Sequence, residues 1–264
     1  MKIEGIGCLV TGASDGIGRA LAVELGRRRC RVGLLARREG VLARVVEEVV
    51  AAGGIATPLA VDVRNAGSVA AAVARAREAC GPLRLVVVNA GVGVHGALAD
   101  LPETTERNVM DVNFHGALAT VRAVVPELRA AAPAALVAVA SLSALIPYRG
   151  GGAYGASKAA LVAALRCLRL ELQDTGVGVG ILCPAQVDTA MIVEGVPHAK
   201  LPRLARLAIP VLPVERAVRA IVRLGESGGG EKVIPWQAAS FAALARHLPR
   251  TSRWIEIVSG AGEV

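Results

Sequence analysis

The chain has 264 residues, enough to bury a large core, and it reads as one domain, 1–264, with no linker and no repeat beyond a βα alternation. Hydrophobic residues make up 53% but aromatics only 2%, so the core must be built from Ala, Val and Leu. The net charge of +8 comes almost wholly from Arg; without blocks of like charge or aromatics for base stacking it argues against a nucleic-acid partner and leaves an acidic substrate compatible.

Ile6–Val10 is an apolar run without alternation, the mark of a strand buried on both faces. It leads into Thr11-Gly12-Ala13-Ser14-Asp15-Gly16-Ile17-Gly18 and then a helical stretch from Arg19 to Arg27. Strand, Gly-rich turn and helix together aim free N–H groups and a positive helix end at a phosphate. Arg31–Ala36 is the second strand, followed by Arg37 and Arg38. At this point of a dinucleotide site a carboxylate would bond the ribose 2′-hydroxyl, whereas Arg accommodates a 2′-phosphate. We therefore expect NADP(H) rather than NAD, with Arg37 as the contact; Asp15, inside the turn, argues the other way.

The alternation continues with a helix over Val41–Ala52, a strand over Ile55–Val61 ending in Asp62-Val63, a helix over Ala66–Cys80 and a strand over Leu83–Val88 ending in Asn89-Ala90-Gly91. Asp62 and Asn89 both sit at carboxyl ends of strands, where open α/β sheets bind ligands. Asp62 either accepts from an adenine amino group or simply opens a loop. From Leu101 the pattern predicts one long helix ending near Ala130, with Asn113 inside it. A buried mid-helix amide needs partners, and a helix-kink role and a water-binding catalytic role both stay open.

Ala135–Ala140 is the fifth strand and delivers Ser141. A helix then runs from Tyr154 to about Asp174. The chain has two Tyr and four Lys, and Tyr154 and Lys158 stand one helical turn apart on one face. A phenol titrates at about 10, and a fixed ammonium nearby lowers that value, which suits a general acid. The alternative is a surface Tyr and a surface Lys near a helix start. Val177–Cys183 is the sixth strand, continued by Pro184-Ala185-Gln186-Val187-Asp188-Thr189.

Residues 190–212 are apolar, broken by prolines and studded with cations, as in a substrate lid. An amphipathic helix over Pro213–Leu224 and a short strand over Glu231–Pro235 follow. The tail, 236–264, holds both Trp and Phe241; packing against the lid, subunit contact and attachment to a membrane surface all fit it. The five Cys (Cys8, Cys30, Cys80, Cys167, Cys183) form no C-x-x-C pair and read as reduced, buried thiols. With no signal-peptide pattern and no long uncharged run, a cytoplasmic location is expected. No spacing of His, Cys, Asp and Glu suggests a metal.

With Thr11-Gly-x-x-x-Gly-x-Gly18, Asn89-Ala-Gly91, Asn113, Ser141, Tyr154-x-x-x-Lys158 and Pro184-x-x-Val-x-Thr189 in one order, the chain resembles the short-chain dehydrogenase/reductase family, classical type, over residues 5–235. The resemblance implies an α/β fold: a Rossmann-type, doubly wound three-layer sandwich with a seven-stranded parallel sheet. It also implies hydride transfer between a nicotinamide and a carbonyl or alcohol carbon. Tyr154 would then be the general acid, and Lys158 would lower its pKa and hold the nicotinamide ribose. Ser141 would bond the substrate oxygen, and Asn113 would hold the water that reprotonates the site. By the same resemblance Gly12, Ser14, Gly16, Ile17, Gly18, Arg37, Asp62, Val63, Asn89, Ala90, Gly91, Pro184, Val187 and Thr189 join Tyr154 and Lys158 in the cofactor site, Thr189 meeting the carboxamide.

Three positions depart from the family pattern. Val88 stands where many members have a second Asn, and Ala144 and Ala185 replace usual glycines; none removes a reacting group. Ser143 is a second candidate for the active Ser, although the thirteen-residue spacing to Tyr154 favours Ser141. The expectation is an NADP(H)-dependent oxidoreductase acting on a lipophilic ketone, 3-oxoacyl, steroid or polyketide-like substrate, assembled as a homodimer or homotetramer. The alternative is a dinucleotide-binding sensor or scaffold without turnover, which would have no need of the intact Ser, Tyr, Lys and Asn set.

Overall fold

Seven strands lie parallel in one sheet: β1 (Gly7–Thr11), β2 (Arg31–Ala36), β3 (Ile55–Ala60), β4 (Leu83–Val88), β5 (Ala134–Val139), β6 (Val177–Pro184) and β7 (Gly229–Ile234). Their order is β3-β2-β1-β4-β5-β6-β7, so the winding reverses between β1 and β4 and opens a crevice at the carboxyl ends there. The computed structural model describes residues 1–192 and 210–247. Of the expected lid and tail, 193–209 and 248–264 lie outside the described residues.

The central strands are buried on both faces, which is why their sequences run apolar without alternation. One face is covered by α1 (Gly16–Arg27), α2 (Glu39–Ala51) and α7 (Val214–Glu226), through Leu21, Leu25, Leu42, Val45 and Ile221. The other is covered by α3 (Ala66–Cys80), α5 (Ala117–Ala130) and α6 (Gly152–Glu171), through Val69, Val73, Val124, Leu128 and Leu161. Small side chains let these helices sit close to the sheet, so a core poor in aromatics still closes. The expected doubly wound α/β sandwich is the observed fold.

Two expectations are corrected, and one element is added to the tail. The helix read as continuous from Leu101 to Ala130 is α4 (Glu103–Met110), a π-helical turn (Asp111–Gly116) and α5. Two contacts hold the wide turn open. Gly116 packs on Val63, whose Cγ2 a Cβ there would meet at 2.7 Å, and the Asn113 side chain is tied to neighbouring segments. The tail begins with a helix, α8 (Trp236–His247), that lays Ala238 and Ala242 against Leu142, Ile146 and Ala185. Its apolar face is made of alanines, too weak a stripe to read from sequence. The second correction is that Cys167 is exposed, because it falls on the outer side of α6; the other four thiols are buried.

Candidate active site

The Gly-rich turn is fastened to the end of β4. Thr11 Oγ1 accepts from the N–H groups of Asn89 (2.9 Å) and Ala90 (3.0 Å), and Asn89 Nδ2 donates to the carbonyls of Thr11 (3.1 Å) and Gly12 (3.2 Å). Asn89 thus serves the site by bracing the turn. A Cβ on Gly18 would run into the Gly12 carbonyl and lie 2.7 Å from Asn89 Nδ2, so only glycine lets α1 start this close to the strand. Gly16, at φ +52°, faces the Thr189 methyl, which a Cβ there would meet at 3.0 Å. The turn and the segment after β6 are therefore two walls of one cleft. Pro184 ends β6, Val187 bridges to Leu212, and Thr189 Oγ1 donates to the Val187 carbonyl at 3.3 Å.

At the end of β2, Arg37 and Arg38 are both exposed, and Arg38 Nη2 donates to Ser14 Oγ at 3.4 Å. Arg64 forks onto Asp62 (Nη2–Oδ2 2.6 Å) and reaches Asn108 Oδ1 at 3.0 Å. Its hydrogen bond, with help from the charge of Arg37, holds the Asp62 carboxyl below the usual range. Asp62 also accepts from the Arg64 N–H at 3.0 Å, so of the two roles open to it the loop-closing one is visible here. Asp15 caps α1 by accepting from the Gly16 N–H at 2.7 Å, which accounts for a carboxylate inside the turn. A turn that a Cβ would fill, opening on the start of α1, and the exposed guanidiniums of Arg37 and Arg38 beside it fit a phosphorylated dinucleotide.

The candidate reacting groups gather near the ends of β4 and β5. Ser141 follows β5; Tyr154 and Lys158 share one face of α6. Lys158, 4% exposed, donates from Nζ to the Val139 carbonyl at 3.0 Å, and Nζ stands 6.0 Å from the Tyr154 ring centroid. Gly91 is where Asn113 and Lys158 converge: a Cβ on it would lie 3.1 Å from Asn113 Oδ1 and 3.3 Å from Nζ. The fully buried Asn113 carboxamide accepts from the Val92 N–H (2.8 Å) and donates to the Val92 carbonyl and the Ser157 hydroxyl (3.0 Å each). Its side chain therefore fixes the loop after β4, and of the two roles left open to it the helix distortion is the one seen here.

Electrostatics correct one expectation. Burial pushes the Tyr154 phenol up to about 12, opposed by a hydrogen bond with the Ser141 hydroxyl, and pushes Lys158 down to about 8. Desolvation outweighs the ammonium, which points at the Val139 carbonyl, so the chain alone does not acidify the phenol. Ser143 is the group that sequence reasoning undervalued. Its hydroxyl lies 3.1 Å from Ser141 Oγ, and its N–H donates to that same oxygen at 3.1 Å. Its hydroxyl also works against the burial that raises the Tyr148 phenol, the other tyrosine of the chain. The scarcity of Tyr was the available signal.

Residues 7–199 match the family model for short chain dehydrogenase. An uncharacterized oxidoreductase of Myxococcus xanthus is 36% identical over 91% of this chain and 92% of its own length. The ketoacyl reductase HetN of Nostoc sp. is 31% identical over 81% of this chain and 74% of its own. Among solved structures, a short chain dehydrogenase from Burkholderia cenocepacia in complex with NADP superposes with a TM-score of 0.79, at 28% identity over 95% of this chain and 97% of that one.

Proposed function

The chain belongs to the short-chain dehydrogenase family of nicotinamide-dependent oxidoreductases, and on that premise we propose that it uses NADP(H) to interconvert a carbonyl and a secondary alcohol on a lipophilic substrate. The observation that carries the reading is Tyr154 and Lys158 on one face of α6, Nζ 6.0 Å from the Tyr154 ring, with Ser141 at the end of β5 and Asn113 converging with Lys158 on Gly91. The bound nicotinamide supplies or accepts the hydride. Ser141 orients the substrate oxygen, and Tyr154 gives its proton to that oxygen as the new O–H bond forms. Lys158 would hold the nicotinamide ribose and supply positive charge there.

Arg37 and Arg38, exposed where a 2′-phosphate would stand, support NADP(H), as does the NADP held by the Burkholderia relative. Leu98 (60% exposed) against Gly152 at the start of α6, and Met191 (42%) against Gly93 in the loop after β4, put apolar surface at the carboxyl edge of the sheet and support a lipophilic substrate. The relative named as a ketoacyl reductase makes 3-oxoacyl compounds the first to try. The open edge of β7 and the high Arg content suit a homodimer or homotetramer, and we take the enzyme to be cytoplasmic. The test follows loss of NADPH absorbance against ketones and 3-oxoacyl thioesters. Turnover by wild type should fall on the order of a hundredfold or more in Tyr154→Phe with NADPH affinity kept. Full activity in that variant, or none in wild type, refutes the proposal.

A further inference from the structure

The segment that follows β3 is fastened to its neighbours. The Val61 N–H donates to the Ala36 carbonyl at 2.9 Å, the Asn65 N–H donates to the Asp62 carbonyl at 3.0 Å, and Val63 packs on Gly116 of the π turn. Because Ala36 pairs with Ala60, this segment adjoins Arg37 and Arg38. On it Asp62 and Arg64 form a closed pair. Asp62 Oδ1 accepts from the Arg64 N–H (3.0 Å) and from Nε (3.1 Å), while Oδ2 accepts from Nε (3.0 Å) and Nη2 (2.6 Å). A carboxylate offers about four lone pairs, so none is left for another donor. The guanidinium is not used up in the same way. Nη1 donates to Asn108 Oδ1 at 3.0 Å, which ties Arg64 to α4 from its far side. An N–H on each terminal nitrogen keeps no partner among the described residues, and the Arg64 side chain is 44% exposed.

We propose that Arg64, rather than Asp62, meets the purine of the bound dinucleotide, and that it reads the base as a donor. The inference rests on the proposed use of NADP(H), which puts the purine outside the ends of β2 and β3. An Asp62 left open would accept from the 6-amino group of adenine and would favour adenine over any 6-oxo purine. A donor at that edge has the opposite preference. Adenine offers it N7 alone, whereas a 6-oxo purine such as hypoxanthine offers O6 and N7, the edge that guanidinium groups commonly take. Asp62 is then a positioning residue: it aims Arg64 and is itself shut off from the base.

The test is a fluorescence titration of the full chain with NADPH and with its deamino analogue, in which hypoxanthine replaces adenine; no turnover is needed. Wild type should bind the analogue at least as tightly as NADPH, with a severalfold gain expected. Arg64→Ala opens the Asp62 carboxylate and should turn the ratio of the two affinities toward NADPH by on the order of tenfold. Adding Asp62→Ala to that variant should remove the new preference, an effect that mere loosening of the loop would not produce. The wild-type ratio needs no variant, so it decides the matter even if Arg64→Ala fails to fold. A wild type that binds the analogue more weakly than NADPH overturns the inference, as does a ratio that Arg64→Ala leaves unchanged. If neither cofactor binds, the dinucleotide reading falls and this inference falls with it. If both bind with the wrong preference, this inference alone falls, so the two failures are distinct.

Discussion

Replacing Lys158 with Met should stabilise the ligand-free protein near neutral pH, by an amount that shrinks as the pH rises. The Lys158 ammonium is 4% exposed, and burial brings its pKa from 10.5 down to about 8. An unfolded lysine keeps its proton up to its ordinary value. Between about pH 8 and pH 10.5 the unfolded chain therefore binds more protons than the folded one, and stability rises with pH through that window. Below the window the whole cost of burying the charge is present. The two pKa values put that cost at about 3 kcal/mol near pH 7 and about 1 kcal/mol near pH 10.

Met occupies a similar volume without a charge, so the variant escapes the penalty at both values. Urea denaturation of both proteins near pH 7 and near pH 10 should show the advantage of Lys158→Met falling by about 2 kcal/mol between them. Tyr154 and Cys183, both pushed up to about 12 by burial, also titrate toward the alkaline side. Loss of the ammonium, which lowers Cys183, raises that thiol further, but in the folded state both groups stay protonated near pH 10 with or without Lys158, so they contribute little to the difference. A pH-independent difference, or a wild type that is the more stable near pH 7, would refute the claim that desolvation dominates at Lys158.

Arg37→Ala should weaken NADPH on the order of ten- to a hundredfold and leave NADH alone, because a charge-assisted bond to the 2′-phosphate is lost; fluorescence titration with both cofactors reads this, and equal weakening would count against the assignment. Gly18→Ala drives a Cβ onto the Gly12 carbonyl, so calorimetry should record a loss of about 1–3 kcal/mol together with weaker dinucleotide binding, and an unaltered melting curve contradicts the close approach. The raised Tyr154 pKa keeps the phenol protonated across neutral pH. Ketone reduction should therefore hold its rate from about pH 6 to 8, while alcohol oxidation, which needs the phenolate, should climb over the same range. Initial rates in both directions test this, and a flat oxidation profile would speak against Tyr154 as the titrating group.

The βα alternation was legible because each buried strand is a short apolar run broken off by charged, polar, Gly or Pro residues. Arg31–Ala36 and Leu83–Val88 come out with the same limits in sequence and structure. What stayed hidden depends on contacts between segments distant in the chain. The π turn at Asp111–Gly116 needs Val63 and Val92, brought there by β3 and β4. Asn89 could be placed at a strand end, but that its amide braces Thr11 and Gly12 follows only from β4 lying beside β1. The spacing of Tyr154 and Lys158 on one helix face was readable. The direction of their pKa shifts was not, because it is decided by burial, which periodicity does not measure.

That last point bears on how the pair works. Burial moves both groups toward their uncharged forms, Tyr154 up and Lys158 down. Folding alone thus leaves a phenol that holds its proton firmly beside an ammonium whose charge is costly to keep. Such a phenol is a weak acid toward water but an adequate one toward an alkoxide, a far stronger base, so proton transfer waits until negative charge has developed on the substrate oxygen. An oxidised nicotinamide brings a positive ring, and a reduced one does not. On the proposed function Lys158, aimed at the Val139 carbonyl and at Gly91, would serve to anchor and to bias the field, while the acidity of Tyr154 would be set by the ligands gathered around it, with the Ser141 hydroxyl working against the rise that burial causes.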